Sequence, residues 1–248
     1  MKVKVDDLVC SFRGQLVLNK LNMEVKEGEF VSILGPSGCG KSTFLNILAG
    51  VLPPDGGEVF VEDKPVVGLS SHFAYMPQQD LLMPWKTILE NVSLYGTIHR
   101  KGKDFREKAR ANFEKFGLSG YEDRYPCELS GGMRQRAAFL RTALCGADIM
   151  LLDEPFGALD VITRGDMQDW LLSMRAELSR TTVLVTHDIN EAIYLSDRVL
   201  ILSGQPAEFR KEFKIQEKNR SREWIFEQKA LEKEIYHYLK ADGENVDD

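Results

Sequence analysis

The stretch that decides the fold is Gly35-Pro36-Ser37-Gly38-Cys39-Gly40-Lys41-Ser42-Thr43. It follows the apolar run at residues 30–34 and precedes the largely apolar residues 44–50. A short continuous apolar run before a glycine-rich turn indicates a buried strand, and the segment after the turn has the terminal glycine of a short helix. We therefore expect a strand, a glycine-rich turn and a helix, in that order.

The spacing in this stretch matches the pattern G-x-x-x-x-G-K-[ST], which is typical of loops that bind nucleotide phosphates. Glycines allow backbone N–H groups to converge on phosphate oxygens, and the following helix N-terminus adds partial positive charge. Lys41 can reach the β- and γ-phosphates, and the Ser42 hydroxyl can bind Mg²⁺. About one random chain in a hundred of this length contains the pattern, and its position between a strand and a helix favours nucleotide binding.

Composition sets limits on the partners. The chain has 248 residues with 43% hydrophobic and 28% charged residues, and its formal net charge is −6. These values are typical of a globular protein, and the negative charge gives no reason to expect a nucleic-acid partner. No apolar segment approaches the ~20 residues that cross a bilayer, and no signal peptide is recognisable. We expect a cytosolic protein that a partner holds at any membrane where it acts.

The cysteines and histidines are dispersed along the chain. The spacing contains no C-x-x-C pair, so free thiols in a reducing compartment are favoured over a metal site. Cys39 lies inside the glycine-rich loop, so its oxidation or alkylation would obstruct nucleotide binding. The residues concerned are Cys10, Cys39, Cys127, Cys145, His72, His99, His187 and His237.

The apolar pattern changes along the chain. Alternating apolar residues from Val3 to Val25 predict antiparallel strands, and apolar residues at helical spacing predict a helical block at about 81–144. Continuous apolar runs then predict buried parallel strands at residues 149–152, 182–185 and 199–202.

The last part of the chain shows few strand signals. Trp224, Leu231, Ile235 and Tyr238 predict a terminal amphipathic helix packed on the body, and residues 244–248 are expected to fray. We predict a single domain with a core at about 1–80 and 145–203, a helical subdomain at about 81–144, and a C-terminal helical extension at about 204–248.

Two further patterns carry polar groups suited to nucleotide chemistry. The apolar run 149–152 ends in Asp153 and Glu154. An aspartate at such a strand end holds Mg²⁺ in phosphate-loop enzymes, and the next carboxylate can orient or deprotonate water. Ser130, Gly131 and Gly132 precede another helix and form a second N-terminus able to bind phosphate. One nucleotide has no obvious need of both, whereas two chains packed head to tail would use both.

Together these residues resemble the ATP-binding subunit of an ABC transporter, over a length from about Val3 to Ser203. The resemblance implies a phosphate-loop NTPase (RecA-like) α/β core with a mostly parallel sheet, an N-terminal antiparallel β subdomain and an inserted α-helical subdomain. The matching motifs are Walker A at 35–43, Gln78 of the Q-loop, the signature motif at 129–133, Walker B at 149–154, the D-loop at 157–160 and the switch histidine His187.

The resemblance also implies roles for single residues. Two subunits would clasp two ATP molecules, with Phe12 on adenine, residues 35–43 on the phosphates, and Ser130, Gly131 and Gly132 of the other chain completing each site. Asp160 belongs to the D-loop and is expected to be one of the residues that bind the nucleotide. Met133 departs from the commoner glutamine, which leaves the contact of that side chain open. The remaining implied roles are Lys41 as phosphate ligand, Ser42, Gln78 and Asp153 around Mg²⁺, Glu154 on water, and His187 on the γ-phosphate.

The segment that follows Gln78 suggests a partner. Leu82 and Trp85 lie in the stretch Leu-Leu-Met-Pro-Trp. This stretch is similar to the corresponding one in the ATP-binding subunits of importers of nitrate, sulfonates, taurine and thiamine precursors. We expect a groove there for a cytoplasmic helix of a membrane permease; alternatively, both side chains fill the subdomain core. The resemblance implies an importer ATPase at the cytoplasmic face of the membrane, with a separate permease and an extracytoplasmic solute-binding protein.

Two alternatives stay open. A non-transport ABC ATPase would act in DNA repair or on ribosomes, but the helical block has no long coiled coil or zinc spacing, and the acidic composition argues against nucleic acid. A nucleotide kinase would leave residues 129–133 and His187 without a role.

Overall fold

A computed structural model describes residues 1–240. Four strands form an antiparallel sheet: β1 (Val3–Phe12), β2 (Gln15–Val25), β4 (Gly56–Val61) and β5 (Lys64–Pro65). Their order in the sheet is β2-β1-β4-β5. Val3 of β1 pairs with Val25 of β2 and with Val61 of β4. Alternate apolar side chains of these strands are buried. The antiparallel sheet predicted from the alternating pattern is therefore confirmed.

A second sheet has six strands: β3 (Phe30–Leu34), β6 (Phe73–Met76), β7 (Ile149–Asp153), β8 (Thr181–Thr186), β9 (Arg198–Ser203) and β10 (Glu208–Lys214). Its order is β10-β9-β3-β8-β7-β6, and every neighbouring pair is parallel except β10 with β9. The central strands β3, β7 and β8 are buried along their whole length, which explains their continuous apolar sequences.

The helices of residues 1–240 are α1 (Lys41–Leu48), α2 (Ile88–Val92), α3 (Leu94–Ile98), α4 (Gly102–Ala111), α5 (Gly131–Ala143), α6 (Val161–Leu178), α7 (Ile189–Leu195), α8 (Arg222–Glu227) and α9 (Lys229–Lys240). Side-chain caps fix several of their starts; Thr87 and Glu90 form a capping box on α2. None of the helices in this part of the chain has the length and apolar character needed to cross a bilayer.

The six-stranded sheet separates two hydrophobic cores. Met150 and Leu152 of β7 face one core, which includes side chains of α2, α5, α7 and the C-terminal helices. Ile149 and Leu151 of the same strand face the other, with α1 and the antiparallel sheet. Because side chains alternate along a strand, one apolar run serves both cores. The α/β fold with a helical insert is as predicted.

The C-terminal part differs from the prediction in two ways. The extension at about 204–248 is not wholly helical, because β10 forms a sheet edge before the helices begin. The predicted terminal helix is a pair, α8 and α9, and Ile235 of α9 is fully buried in the core, so the expected packing on the body is confirmed. Residues 244–248 lie outside the described residues. The division of the chain into subdomains stays a prediction.

Candidate functional site

The glycine-rich loop joins β3 to α1, as the sequence predicts. Gly38 and Gly40 have φ angles of 80° and 107°, in the region that glycine enters without strain. A Cβ atom on Gly35 would lie 2.2 Å from the carbonyl oxygen of Leu202. Glycine is therefore required at these positions, where the backbone has positive φ angles or passes close to Leu202 of β9. The loop lies at the carboxyl edge of the sheet.

Lys41 begins α1, and its side chain turns back over the loop. Its Nζ donates hydrogen bonds to the carbonyl oxygens of Gly35, at 2.9 Å, and Pro36, at 2.8 Å. The same atom lies 3.7 Å from Oε1 of Glu154, and the Lys41 side chain is only 4% exposed. A buried ammonium held beside a glycine-rich loop is suited to binding phosphate oxygens.

Asp153 lies at the end of β7, next to the start of α1. Its Oδ1 accepts a hydrogen bond from the Ser42 hydroxyl at 3.0 Å, and its Oδ2 accepts one from the Tyr75 hydroxyl at 3.1 Å. Burial raises the pKa of Asp153, and the two hydrogen bonds oppose that shift. A hydroxyl and a carboxylate at this separation are hard oxygen donors of the kind that Mg²⁺ prefers.

These donors fit a magnesium ion that arrives with a nucleotide. Within residues 1–240, no three His, Cys, Asp or Glu side chains are grouped so that they could hold a metal by themselves. Mg²⁺ at nucleotide sites needs only one or two protein oxygens, because phosphates and water supply the rest. The Ser42 and Asp153 pair meets that requirement.

The Glu154 side chain, which follows β7, contacts side chains from two other loops. Its Oε2 accepts a hydrogen bond from Nε2 of Gln78 at 3.2 Å and lies 3.1 Å from Nδ1 of His187. Its backbone N–H donates to the carbonyl oxygen of Val185, and its φ of 43° is unusual for a residue with a side chain. The structure therefore brings together Glu154, Gln78 and His187, three residues that the sequence places far apart.

Tyr75 is a site residue that the sequence analysis missed. It lies on β6 opposite Leu151 of β7, and its hydroxyl reaches Asp153. Burial beside that carboxylate raises the pKa of Tyr75, so the hydroxyl stays a hydrogen-bond donor. The only sequence signal was its position three residues before Gln78 in an apolar strand, where an aromatic residue is ordinarily assigned to the core.

Ser130 caps α5, where its Oγ accepts a hydrogen bond from the backbone N–H of Met133 at 3.3 Å. Gly131 and Gly132 form the first turn, and a Cβ on Gly132 would lie 2.5 Å from a methyl carbon of Thr163. Gly131 shares a cleft of about 600 Å³ with Gln78 and residues 157–159. Among the hydrogen bonds and ion pairs of residues 1–240, none joins Ser130, Gly131 or Gly132 to the loop at 35–43.

The remaining predicted residues lie at the surface or pack locally. Phe12, at the end of β1, is 46% exposed and free to stack on a ring. Asp160 caps α6 by accepting hydrogen bonds from the N–H groups of Ile162 and Thr163. A hydrogen bond from the Thr163 side chain, followed by these backbone bonds, lowers the pKa of Asp160. Met133 is half-buried and packs against the helical core, so its side chain is partly engaged in packing.

The segment after Gln78 corrects one expectation. Leu82 is buried in the core at 8% exposure, so it does not line an exposed groove; Trp85 is 72% exposed and Leu81 is 58% exposed. Oδ1 of Asp80 accepts a hydrogen bond from the N–H of Leu82, and Leu81 has a left-handed φ of 44°. This tight turn places Leu82 in the core and Leu81 at the surface. The alternative that both Leu82 and Trp85 fill the core therefore holds for Leu82 alone.

A family model described as ABC transporter matches residues 18–157. The chain belongs to the ABC transporter family. It is 49% identical over 193 residues to the formylaminopyrimidine import ATP-binding protein of Halalkalibacterium halodurans, covering 77% of this chain and 74% of that protein. It is 42% identical over 215 residues to an aliphatic sulfonates import ATP-binding protein of Bacillus thuringiensis, covering 85% of each.

Solved structures agree with this assignment. A dimeric ATP-binding cassette in a post-hydrolysis state with ADP and Pi superposes with a TM-score of 0.75 at 33% identity, covering 87% of this chain and 99% of that one. The cbiO1 protein of Clostridium perfringens, part of the ABC transporter complex cbiONQ, gives a TM-score of 0.79 at 25% identity and covers 96% and 98%. The ABC fold and the ATPase activity are confirmed.

Proposed function

We propose that the chain is the ATP-hydrolysing subunit of an importer of a small solute, which works with a separate membrane permease. The observation that carries the proposal is the position of Glu154. One of its oxygens contacts both Gln78 and His187, and Gln78 leads directly into the exposed turn at Leu81 and Trp85. The site of hydrolysis and a surface suited to a partner are therefore three to seven residues apart along one segment.

Each residue of the site has a proposed role. Phe12 stacks on adenine and residues 35–43 hold the phosphates, while Lys41 neutralises their charge. Ser42, Gln78 and Asp153 hold Mg²⁺, which would neutralise charge on the phosphates during hydrolysis. Glu154 orients the attacking water and accepts its proton, and His187 contacts the γ-phosphate.

A second copy of the chain completes each site. The N-terminus of α5, with Ser130, Gly131 and Gly132, supplies the N–H groups and the partial positive charge that favour the phosphates of ATP bound to the other copy. Asp160 of the D-loop contributes to nucleotide binding in this arrangement. ATP bridges the two chains, and loss of the γ-phosphate removes the bridge, so hydrolysis shifts the population toward the open form.

The turn at Leu81 is tied to the same helix. Arg141 of α5 donates hydrogen bonds to the carbonyl oxygens of Asp80, at 2.6 Å, and Leu81, at 2.8 Å. Arg134 of α5 forms an ion pair with Asp80. A displacement of α5 when ATP bridges the copies would therefore move the exposed turn, which supports Leu81 and Trp85 as the contact for a cytoplasmic helix of the permease.

The relatives named as import proteins suggest the class of solute. Formylaminopyrimidine and aliphatic sulfonates are the solutes in the names of those relatives, and we propose that this importer takes nitrate, a sulfonate, taurine or a thiamine precursor from an extracytoplasmic solute-binding protein. The chain would then act at the cytoplasmic face of the membrane through its permease.

Affinity purification tests this proposal. The tagged chain is purified from detergent-solubilised membranes of its natural host, together with a Trp85→Glu variant. We expect a polytopic membrane protein at near-stoichiometric yield with the natural chain, and about tenfold less with Trp85→Glu. Recovery of ribosomes or DNA without a membrane protein would favour a non-transport ABC ATPase, and a phosphorylated small-molecule product would favour a nucleotide kinase.

A further inference from the structure

A cavity of about 600 Å³ lies in the helical segment, between α2, α3 and the start of α4. It is separate from the nucleotide site, since none of the catalytic residues proposed above lines it. Four cationic side chains and one carboxylate contribute to its wall: Lys86, Arg100, Lys103, Arg106 and Glu90. In a chain with a formal net charge of −6, this local excess of positive charge runs against the overall composition.

The four cations are not held in ion pairs within the part of the chain that the structure describes. No ion pair within 4.0 Å involves any of them, whereas Lys101, between two of them in sequence, has its ammonium 4.6 Å from the centre of the Tyr95 ring. Glu90 is already engaged: its Oε2 accepts a hydrogen bond from the N–H of Thr87 at 2.9 Å. That bond lowers the pKa of Glu90, with smaller contributions from the charges of Lys86 and Arg106.

The helices that form the cavity wall are closely packed. A Cβ on Gly96 of α3 would lie 2.2 Å from a ring carbon of Phe105, so α3 packs directly on α4. Ser93 is 5% exposed, lines the cavity, and has a hydroxyl without a hydrogen-bond partner in the described residues. Such a concave, cation-rich wall is suited to carboxylate groups.

We propose that this cationic pocket receives an acidic segment of the permease, with its carboxylates between Lys86, Arg100, Lys103 and Arg106. The inference rests on the proposed function, because the permease is the partner that docks beside it. Lys86 directly follows Trp85, which is 72% exposed, so the pocket continues the proposed docking surface. A protein side chain can enter a concave wall, whereas a flat membrane surface meets only its rim.

The pocket then adds charge specificity to apolar docking. Leu81 and Trp85 provide apolar contacts, which many helices satisfy, and the cations exclude partners without matching carboxylates. The resulting attraction accelerates association and weakens as salt rises.

The test compares two pocket variants with a matched control. The double variants Lys86→Glu/Arg106→Glu and Arg100→Glu/Lys103→Glu reverse charges in the pocket. The control, Lys108→Glu/Arg110→Glu, reverses two exposed cations of the same α4 that do not line it. At about 0.1 M KCl we expect each pocket variant to recover about tenfold less permease than the natural chain, and the control to differ by less than about twofold.

Cross-linking identifies the occupant. Thr97 lines the pocket and is exposed, so a photoreactive probe on a Thr97→Cys/Cys127→Ser variant should label a cytoplasmic segment of the permease that contains Asp or Glu. Lysine at those acidic positions should restore binding of the pocket variants.

Several results would overturn the inference. Equal recovery by the pocket variants, or a cross-linked segment without acidic residues, excludes it while leaving the proposed function intact. Loss of binding to phosphatidylglycerol vesicles in the pocket variants, with permease recovery unchanged, would assign the pocket to an anionic lipid instead. If the natural chain recovers no membrane protein, the proposed function and this inference fail together.

Discussion

The glycine-rich loop and the N-terminus of α5 both present groups suited to phosphate, but their polar groups have different partners. Around the loop, Lys41 lies near Glu154, Ser42 donates to Asp153, and Glu154 contacts two further loops. At α5, Ser130 accepts only a bond from its own helix. Within residues 1–240, no hydrogen bond or ion pair joins Ser130, Gly131 or Gly132 to the loop at 35–43.

This difference supports the proposal that the chain carries two unequal halves of a nucleotide site shared between two copies. The loop side is organised by contacts within one chain, which join the proposed catalytic groups to one another. The α5 side offers helix N–H groups that are satisfied best by an anion from outside the chain. We therefore expect substitutions on the loop side to alter chemistry and binding, and substitutions at α5 to alter association.

The largest effect is expected for Glu154→Gln. Removal of a general base costs about 10²–10⁴-fold in rate, so ATP hydrolysis should fall at least about 100-fold while the affinity for Mg-ATP changes little. Steady-state phosphate release and equilibrium nucleotide binding measure the two quantities. Glu177→Gln, a surface substitution on α6, serves as control. Normal turnover in the Glu154 variant would remove Glu154 from the mechanism.

Lys41→Ala should weaken ATP binding by about 10- to 100-fold, because hydrogen bonds to charged groups contribute about 1.5–3 kcal/mol. Calorimetric titration with ATP gives the affinity. Lys26→Ala, which changes an exposed lysine before β3, should bind like the natural chain. An unchanged affinity in Lys41→Ala would contradict the assignment of the loop.

Ser130→Ala tests the other half-site. We expect ATP affinity of the single chain to be unchanged and ATP-dependent dimerisation to weaken by about tenfold, since a phosphate contact across the interface is lost. Loss of the helix cap should also cost about 1 kcal/mol, which lowers Tm by about 2–4 °C. Thr87→Ala removes a comparable cap from α2 and should lower Tm alone. Weaker ATP binding by the monomeric Ser130 variant would show that Ser130 belongs to the nucleotide site of its own chain, which contradicts the proposal.

The smallest expected effect is a difference in thiol reactivity between the loop and the segment before α5. Cys39, in the loop, is buried and burial raises its pKa, whereas Cys127, three residues before Ser130, is exposed. Since the thiolate is the reactive form, iodoacetamide at neutral pH should label Cys39 several-fold more slowly than Cys127, and the Cys39 rate should rise with pH. Mass spectrometry gives both rates. Equal rates would show that the loop is as open as the α5 region.

Much of the loop side could be predicted from sequence because local spacing determines it. The glycine pattern fixes a strand, a turn and a helix, and Asp153 follows a strand whose apolar run is complete. The antiparallel sheet follows from alternation, and the parallel sheet from continuous apolar runs. The meeting of Gln78 and His187 at Glu154 was implied only by family resemblance, since the three lie on separate loops.

The rest depends on contacts that spacing does not encode. Leu81 is exposed and Leu82 is buried because the Asp80 side chain shapes a tight turn. Tyr75 reaches Asp153 only because β6 and β7 pair in one register. Strand β10 has a largely polar sequence, Glu208–Lys214, and is a strand because β9 offers it an edge. Charge spacing likewise gave no sign that Lys86 and Arg106 share a pocket.

The central claim is that one ATP is held by two chains. The most direct measurement is the molar mass of purified Glu154→Gln protein in saturating Mg-ATP, by light scattering during size-exclusion chromatography. We expect a dimer that contains bound ATP and dissociates when Ser130→Ala is added or nucleotide is removed. A monomer that still retains ATP would contradict the claim.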